Sequence, residues 1–168
     1  MSDPLEANWK PEQVAVMETL RNWAVCFVEL NQHMSAWLNL PTSDANALGQ
    51  IVWATQSGAP LSPVHLARRI GMSSGAVTAL LNRLEAAHLI ERSREHEDRR
   101  RVTLRPTTAA VDRARVFALA SSTEIFDALH DLSPDDLTAA ARVLARMTAA
   151  ANAANGRLEE AGAPAHAG

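Results

Sequence analysis

The stretch 61–107 constrains the fold more than any other part of the chain. Leu66, Ala67 and Ile70 fall on one face of a first helix, and Val77, Leu80, Leu81 and Leu84 recur at helical spacing on a second. Gly71 stands between them, where a positive φ is easiest for glycine. Ala67 is small because the two helices cross there, and a larger side chain would force them apart. Ser62-Pro63 is an N-cap followed by proline at the first helical position, a strong start for the first helix. Ser73 stands where the second would be capped. So many positions in register specify a helix, a tight turn and a second helix packed on the first.

Beyond the second helix, Leu89–Arg92 and Val102–Arg105 read as two short strands, the latter alternating apolar and polar residues. The segment between them, 94–101, is too polar to be buried and too charged for a tight hairpin, so it projects as a loop. Pro106 cannot donate to a sheet and closes the second strand, and Thr107 or Thr108 caps the next helix. Together these elements make a winged helix-turn-helix.

The run SSGAVTALLNRLEAAHLIER, the wing segment Asp98-Arg99-Arg100 and Pro106-Thr107 resemble the DNA-binding core of the MarR family of bacterial transcription regulators. The likeness covers 61–107 closely and the flanking helices more loosely. It departs in three places: His88 stands where the family has glycine, Pro106 where it has leucine, and Ala110 where it has glycine. Histidine tolerates the left-handed conformation better than most side chains, so His88 is a mild exception. None of the three removes a DNA-contacting side chain. The resemblance implies a mainly α fold with a small β-wing, and long N- and C-terminal helices that interlock two protomers. It also implies a double-stranded DNA partner with a pseudo-palindromic operator, a repressor's role, and release by a small-molecule or oxidant signal.

A net charge of −3 looks wrong for a DNA-binding chain until it is mapped. Residues 61–105 hold nine arginines and five acids, a local +4, while the remainder, with seven bases and fourteen acids, carries −7. A basic face segregated onto the motif is the footprint of a duplex binder. The alternative, a merely solvated charge run, does not explain why the arginines coincide with the winged pattern. One cysteine cannot form an internal disulfide, no basic-then-apolar leader opens the chain, and no apolar run approaches a membrane span. A cytoplasmic protein is expected.

Outside the motif the chain reads as helix. Residues 12–38 place Val14, Met17, Val25, Val28 and Met34 on a recurring face, and Pro41 ends that helix. Thr42 or Ser43 then caps a helix carrying Leu48, Ile51 and Val52. Residues 108–131 read as one long helix, and Ser133-Pro134-Asp135-Asp136 starts another that runs to about Ala154. The expected organisation is 1–60 for N-terminal dimerisation and support, 61–107 for the DNA-binding core, 108–155 for C-terminal dimerisation helices, and 156–168 for a flexible tail. The competing reading of the apolar terminal helices is that they cover the winged helix as a single-chain core. Two-fold related DNA half-sites favour a homodimer.

In a helix-turn-helix the second helix enters the major groove. Its outward residues are Ser73, Ser74, Gly75, Thr78, Ala79, Asn82 and Arg83. Ser74 and Thr78 reach bases or phosphate, Asn82 and Arg83 meet the DNA backbone, Ser73 doubles as the N-cap, and Gly75 is a close-approach position. Such a short, weakly polar face leaves much of the affinity to phosphates and DNA shape. In the family the wing enters the minor groove, and the arginine two places after the aspartate is the inserted side chain. That maps onto Asp98 and Arg100, with Arg99 and Arg101 beside them. The bland alternative is a row of solvated arginines.

For a sensor, Trp23, Phe27, His33, Trp37 and Trp53 are candidate effector-lining residues, although aromatics at helical spacing more often form core. Cys26 resembles the thiol of the family's peroxide-sensing branch. That branch uses tyrosines to activate and receive its cysteine, this chain has none, and a buried thiol without such partners is inert. The histidines are scattered, and none pairs with another or with the cysteine at metal-ligand spacing. No phosphate loop, nucleophile elbow or catalytic carboxylate pair appears, so neither metal, cofactor nor enzymatic activity is expected. The reading is a DNA-binding regulator. The alternatives are a winged-helix protein-interaction module and an oxidant sensor that uses Cys26.

Overall fold

The structure is a computed structural model that describes residues 9–94 and 102–161. Its elements run α1 (Pro11–Leu38), α2 (Thr42–Gln56), α3 (Pro63–Ile70), α4 (Ser74–Ala86), β1 (Ile90–Ser93), β2 (Thr103–Pro106), α5 (Thr108–Ser121), α6 (Thr123–His130) and α7 (Pro134–Ala161). The chain divides into two units, one through Ser121 and one from Ser122 onward.

The first unit is built around α2. Its Leu48 and Ile51 are buried with Leu66 of α3 and with Val77, Leu80, Leu81 and Leu84 of α4, the inner faces that the helical spacing specified. Leu38, Ile90, Leu104 and Ala110 complete the cluster from α1, the two strands and α5. Each buried leucine contributes about 1.5–3 kcal/mol of transfer free energy, so this packing, not surface charge, sets the stability.

Local rules fix the joints. Gly71 takes φ 64° between α3 and α4. The Ser62 and Ser73 hydroxyl oxygens accept from the His65 and Ala76 amides, capping both helices. After α4, the Leu89 N–H donates to the Leu84 carbonyl and the His88 N–H to that of Glu85, a Schellman closure. That closure needs a left-handed residue, and His88 supplies it at φ 55°. The strands pair antiparallel with Arg92 opposite Leu104 and Ile90 opposite Pro106. The Leu104 N–H donates to the Leu61 carbonyl, so the segment before α3 adds an edge to the wing. Thr107 Oγ1 donates to the His88 carbonyl and accepts from the Ala110 amide, capping α5 while tying it to the end of α4.

Three details differ from the sequence reading. Neither Thr42 nor Ser43 caps α2. The Thr42 hydroxyl donates to Ser35, the Ser43 hydroxyl donates to Asp44, and Pro41 occupies the cap. The single helix expected over 108–131 is broken at Ser122. There Ser121 bonds back to the Phe117 carbonyl, and the Phe126 amide restarts the ladder on the Ser122 carbonyl. The last helix continues past Ala154 to Ala161. The competing reading, in which α1 covers the winged helix as one core, holds only for its end: of its 28 residues only Leu38 is buried, with Met34 packed against the cluster.

Candidate nucleic-acid interface

With Val77, Leu80, Leu81 and Leu84 turned inward, α4 presents Ser74, Gly75, Thr78 and Ala79 to solvent along its N-terminal half. A Cβ built on Gly75 meets nothing within 4 Å, so a surface can approach the backbone closely there. Thr78 Oγ1 donates its hydrogen to the Ser74 carbonyl at 2.9 Å. Its oxygen is left as an acceptor and its methyl remains on the same exposed face. That pair suits a base-edge amino group and a thymine methyl. Ser73 is spent as the N-cap.

The C-terminal half of α4 is committed elsewhere. Arg83 donates through Nε and Nη2 to both carboxylate oxygens of Asp44 at 2.9 and 2.7 Å. Asp44, in the first turn of α2, is 1% exposed and the one charged side chain buried among the described residues. The Arg83 hydrogen bonds hold its carboxyl below the usual carboxylate range against the opposing effect of burial, and the Ser43 hydroxyl assists. Arg83 in turn is held above its ordinary value by the same hydrogen bonds. Its side chain is 52% exposed, so the guanidinium joins a structural ion pair while keeping an edge in solvent. Asp44 was missed in the sequence. Its signal was its position, since Asp44, Leu48 and Ile51 share one face of α2, and an acid on an apolar stripe needs a partner.

Asn82 is also engaged. Arg92 of β1 donates through Nη2 to Asn82 Oδ1 at 2.7 Å, and its Nη1 lies 3.2 Å from Glu85 Oε2. One side chain of β1 thereby reaches two residues of α4.

This geometry agrees with what the chain matches. The MarR family profile matches residues 40–101, which take in α2 to β1. Over those residues the chain is similar to the MarR family. A curated relative from Bacillus subtilis, the HTH-type transcriptional regulator YcgE, is 43% identical over 51 residues, covering 30% of this chain and 33% of the relative. The match thus spans about a third of that protein's length. Among solved structures, the transcriptional regulator BldR from Sulfolobus solfataricus is 27% identical with a TM-score of 0.58, covering 80% of this chain and 96% of that one. Staphylococcus aureus MepR in its DNA-binding conformation is 18% identical with a TM-score of 0.65, covering 80% and 97%, and shows the shared fold. The proteins matched are named as transcription regulators.

The expected wing contacts Asp98, Arg99, Arg100 and Arg101 lie outside the described residues. The sensor candidates lie within them, and none is buried. Trp23 stacks on Phe27 at a centroid separation of 6.3 Å, and Trp37 meets Phe117 edge-on at 6.2 Å. His33 is exposed, and Trp53 is 69% exposed on α2. Within one chain they are therefore not core side chains. The expectation of a buried thiol is likewise corrected: Cys26 is exposed, because α1 buries only its last residue. No helix among the described residues is long and apolar enough to cross a membrane.

Proposed function

We propose that the chain is a sequence-specific, double-stranded DNA-binding transcription regulator that acts as a homodimer in the cytoplasm. It would repress transcription, and a small molecule would release it. The observation that carries the reading is the N-terminal face of α4, where Ser74, Gly75, Thr78 and Ala79 are exposed, in a chain whose sequence concentrates its arginines in 61–105 and is otherwise acidic. A helix so placed enters a major groove, while wing arginines, Arg100 foremost, meet the minor groove where negative potential is concentrated. MepR, of the same fold, is known in a DNA-binding conformation.

The homodimer rests on α1. Val25 and Val28 are exposed on the face of α1 that also carries Val14 and Met17, and Trp23 and Phe27 are exposed on another, on a helix with one buried residue. Exposed apolar surface of this extent marks an interface. In the second unit, Phe126, Leu129, Val143 and Leu144 are exposed on α6 and α7. We assign residues 1–60 and 108–155 to dimerisation and support, and 61–107 to DNA binding. Trp23, Phe27, His33, Trp37 and Trp53 are the side chains an effector would meet. The exposure of Cys26 favours a second reading, in which oxidation of this thiol is the releasing signal.

Selection of random duplexes by the full chain tests the proposal. A two-fold symmetric motif is expected. Enrichment of no sequence would refute specific recognition and leave the protein-interaction reading.

A further inference from the structure

Arg92 lies on β1 two residues after the buried Ile90, so both side chains leave the same face of the strand, one into the core and the next at its rim. At that rim the guanidinium meets Asn82 Oδ1 at 2.7 Å and Glu85 Oε2 at 3.2 Å. Asn82 and Glu85 are three residues apart on α4 and therefore neighbours on its surface, and a planar fork spans them as a single ammonium cannot. On the other side of α4, Arg83 is held by Asp44. The recognition helix is thus gripped from α2 and from the wing at its C-terminal half, while its N-terminal half carries the free face.

We propose that Arg92 is a positioning residue that fixes the wing against the recognition helix, with Asn82 and Glu85 as its seat and not as DNA contacts. The inference rests on the DNA-binding reading above. Two elements entering adjacent grooves of one duplex bind together only if their separation is set beforehand. A loose wing must be ordered at the moment of binding, which costs affinity. The Arg92 side chain is 30% exposed and that of Glu85 41%, so the clamp contributes little to folding. Its effect falls on binding.

Electrostatics gives a test in which two accounts predict opposite signs. Were Arg92 a phosphate contact and Glu85 a bystander, Glu85→Ala would remove a negative charge near the DNA and strengthen binding. If Glu85 and Asn82 seat Arg92, the Asn82→Ala/Glu85→Ala pair weakens binding although the protein becomes more positive. The probe is a duplex of about 30 base pairs recovered by the wild-type chain from a random pool, titrated at about 0.15 M salt. We expect Arg92→Ala to weaken binding by about tenfold, the Asn82→Ala/Glu85→Ala pair by a similar factor, and the triple variant no more than about twofold beyond either, because the groups act as one unit. Arg92→Lys should recover little of the loss, and the thermal midpoints of all variants should stay within a few degrees of wild type. Stronger binding by the pair, or losses that simply add in the triple variant, overturns the proposal. If the wild-type chain recovers no duplex at all, the DNA-binding reading fails and takes this inference with it. If wild type recovers one and Arg92→Ala binds it equally well, this inference alone fails.

Discussion

The ion pair between Asp44 and Arg83 permits a quantitative prediction because its two ends sit in different surroundings. Asp44 is buried and Arg83 half exposed, so removing the arginine strands a charge in the interior while removing the aspartate leaves a solvated one. Hydrogen bonds to charged groups are worth about 1.5–3 kcal/mol, and screening at the exposed end brings Asp44→Asn to about 1–2 kcal/mol. That corresponds to a drop of about 3–6 °C in thermal midpoint for a chain of this size. Arg83→Ala should cost more at pH 7, and its deficit should shrink with acid. Without the arginine, burial raises the Asp44 carboxyl until it takes up a proton and becomes neutral. In the wild type the folded carboxyl is held below its ordinary value of 3.8. The pair's contribution is therefore complete above that value and lost as pH falls through the lower folded one. Thermal melts from about pH 3 to 8 at fixed protein concentration supply the assay, concentration being held because self-association of the kind proposed would shift the midpoint. The double variant Asp44→Asn/Arg83→Ala should be no less stable than Arg83→Ala alone. A deficit of Arg83→Ala that does not change with pH, or an Asp44→Asn variant as stable as wild type, would refute the reasoning.

Other outcomes follow from single elements. Thr78→Ala should change the bases preferred in selection from random duplexes, since a lost base contact costs about 1–3 kcal/mol; recovery of the wild-type motif would remove Thr78 from recognition. Arg100→Ala should lower affinity and flatten the salt dependence by about two log–log units for a dimer with both wings engaged, with little change in melting. His88→Gly should stabilise by about 0.5–1 kcal/mol, because the position already adopts φ 55° and glycine enters that conformation without strain; a lower melting temperature would contradict this. Val25→Glu/Val28→Glu should convert the protein to a monomer in sedimentation, since both side chains stand exposed on α1.

The helix-turn-helix was legible because its signals are local. The inner faces of α3 and α4 follow from helical periodicity, the turn from Gly71, and the two caps from Ser62 and Ser73. His88 showed its conformation through the family's glycine at that position. What periodicity could not distinguish was which chain covers an apolar face. The stripe on residues 12–38 reads the same whether it packs on its own wing or on a second protomer, and only the structure shows that α1 stays open. The break at Ser122 was hidden because serine is tolerated inside helices as well as at their ends. Side-chain partners distant in sequence were the least legible. Arg83 and Asn82 read as DNA-backbone contacts because they are polar and outward, whereas their engagement with Asp44 and Arg92 depends on elements folding together.

The central claim is that this chain grips duplex DNA as a dimer through phosphate-contacting side chains. The most direct measurement is the equilibrium binding of the full chain to its selected duplex across about 0.05 to 0.3 M salt, beside a scrambled duplex of equal length. The account predicts a log–log slope of about −5 or steeper, as expected when two protomers together meet six or more phosphates, and tighter binding to the selected sequence at every salt concentration. A slope near zero, or equal affinity for the two duplexes, would contradict it.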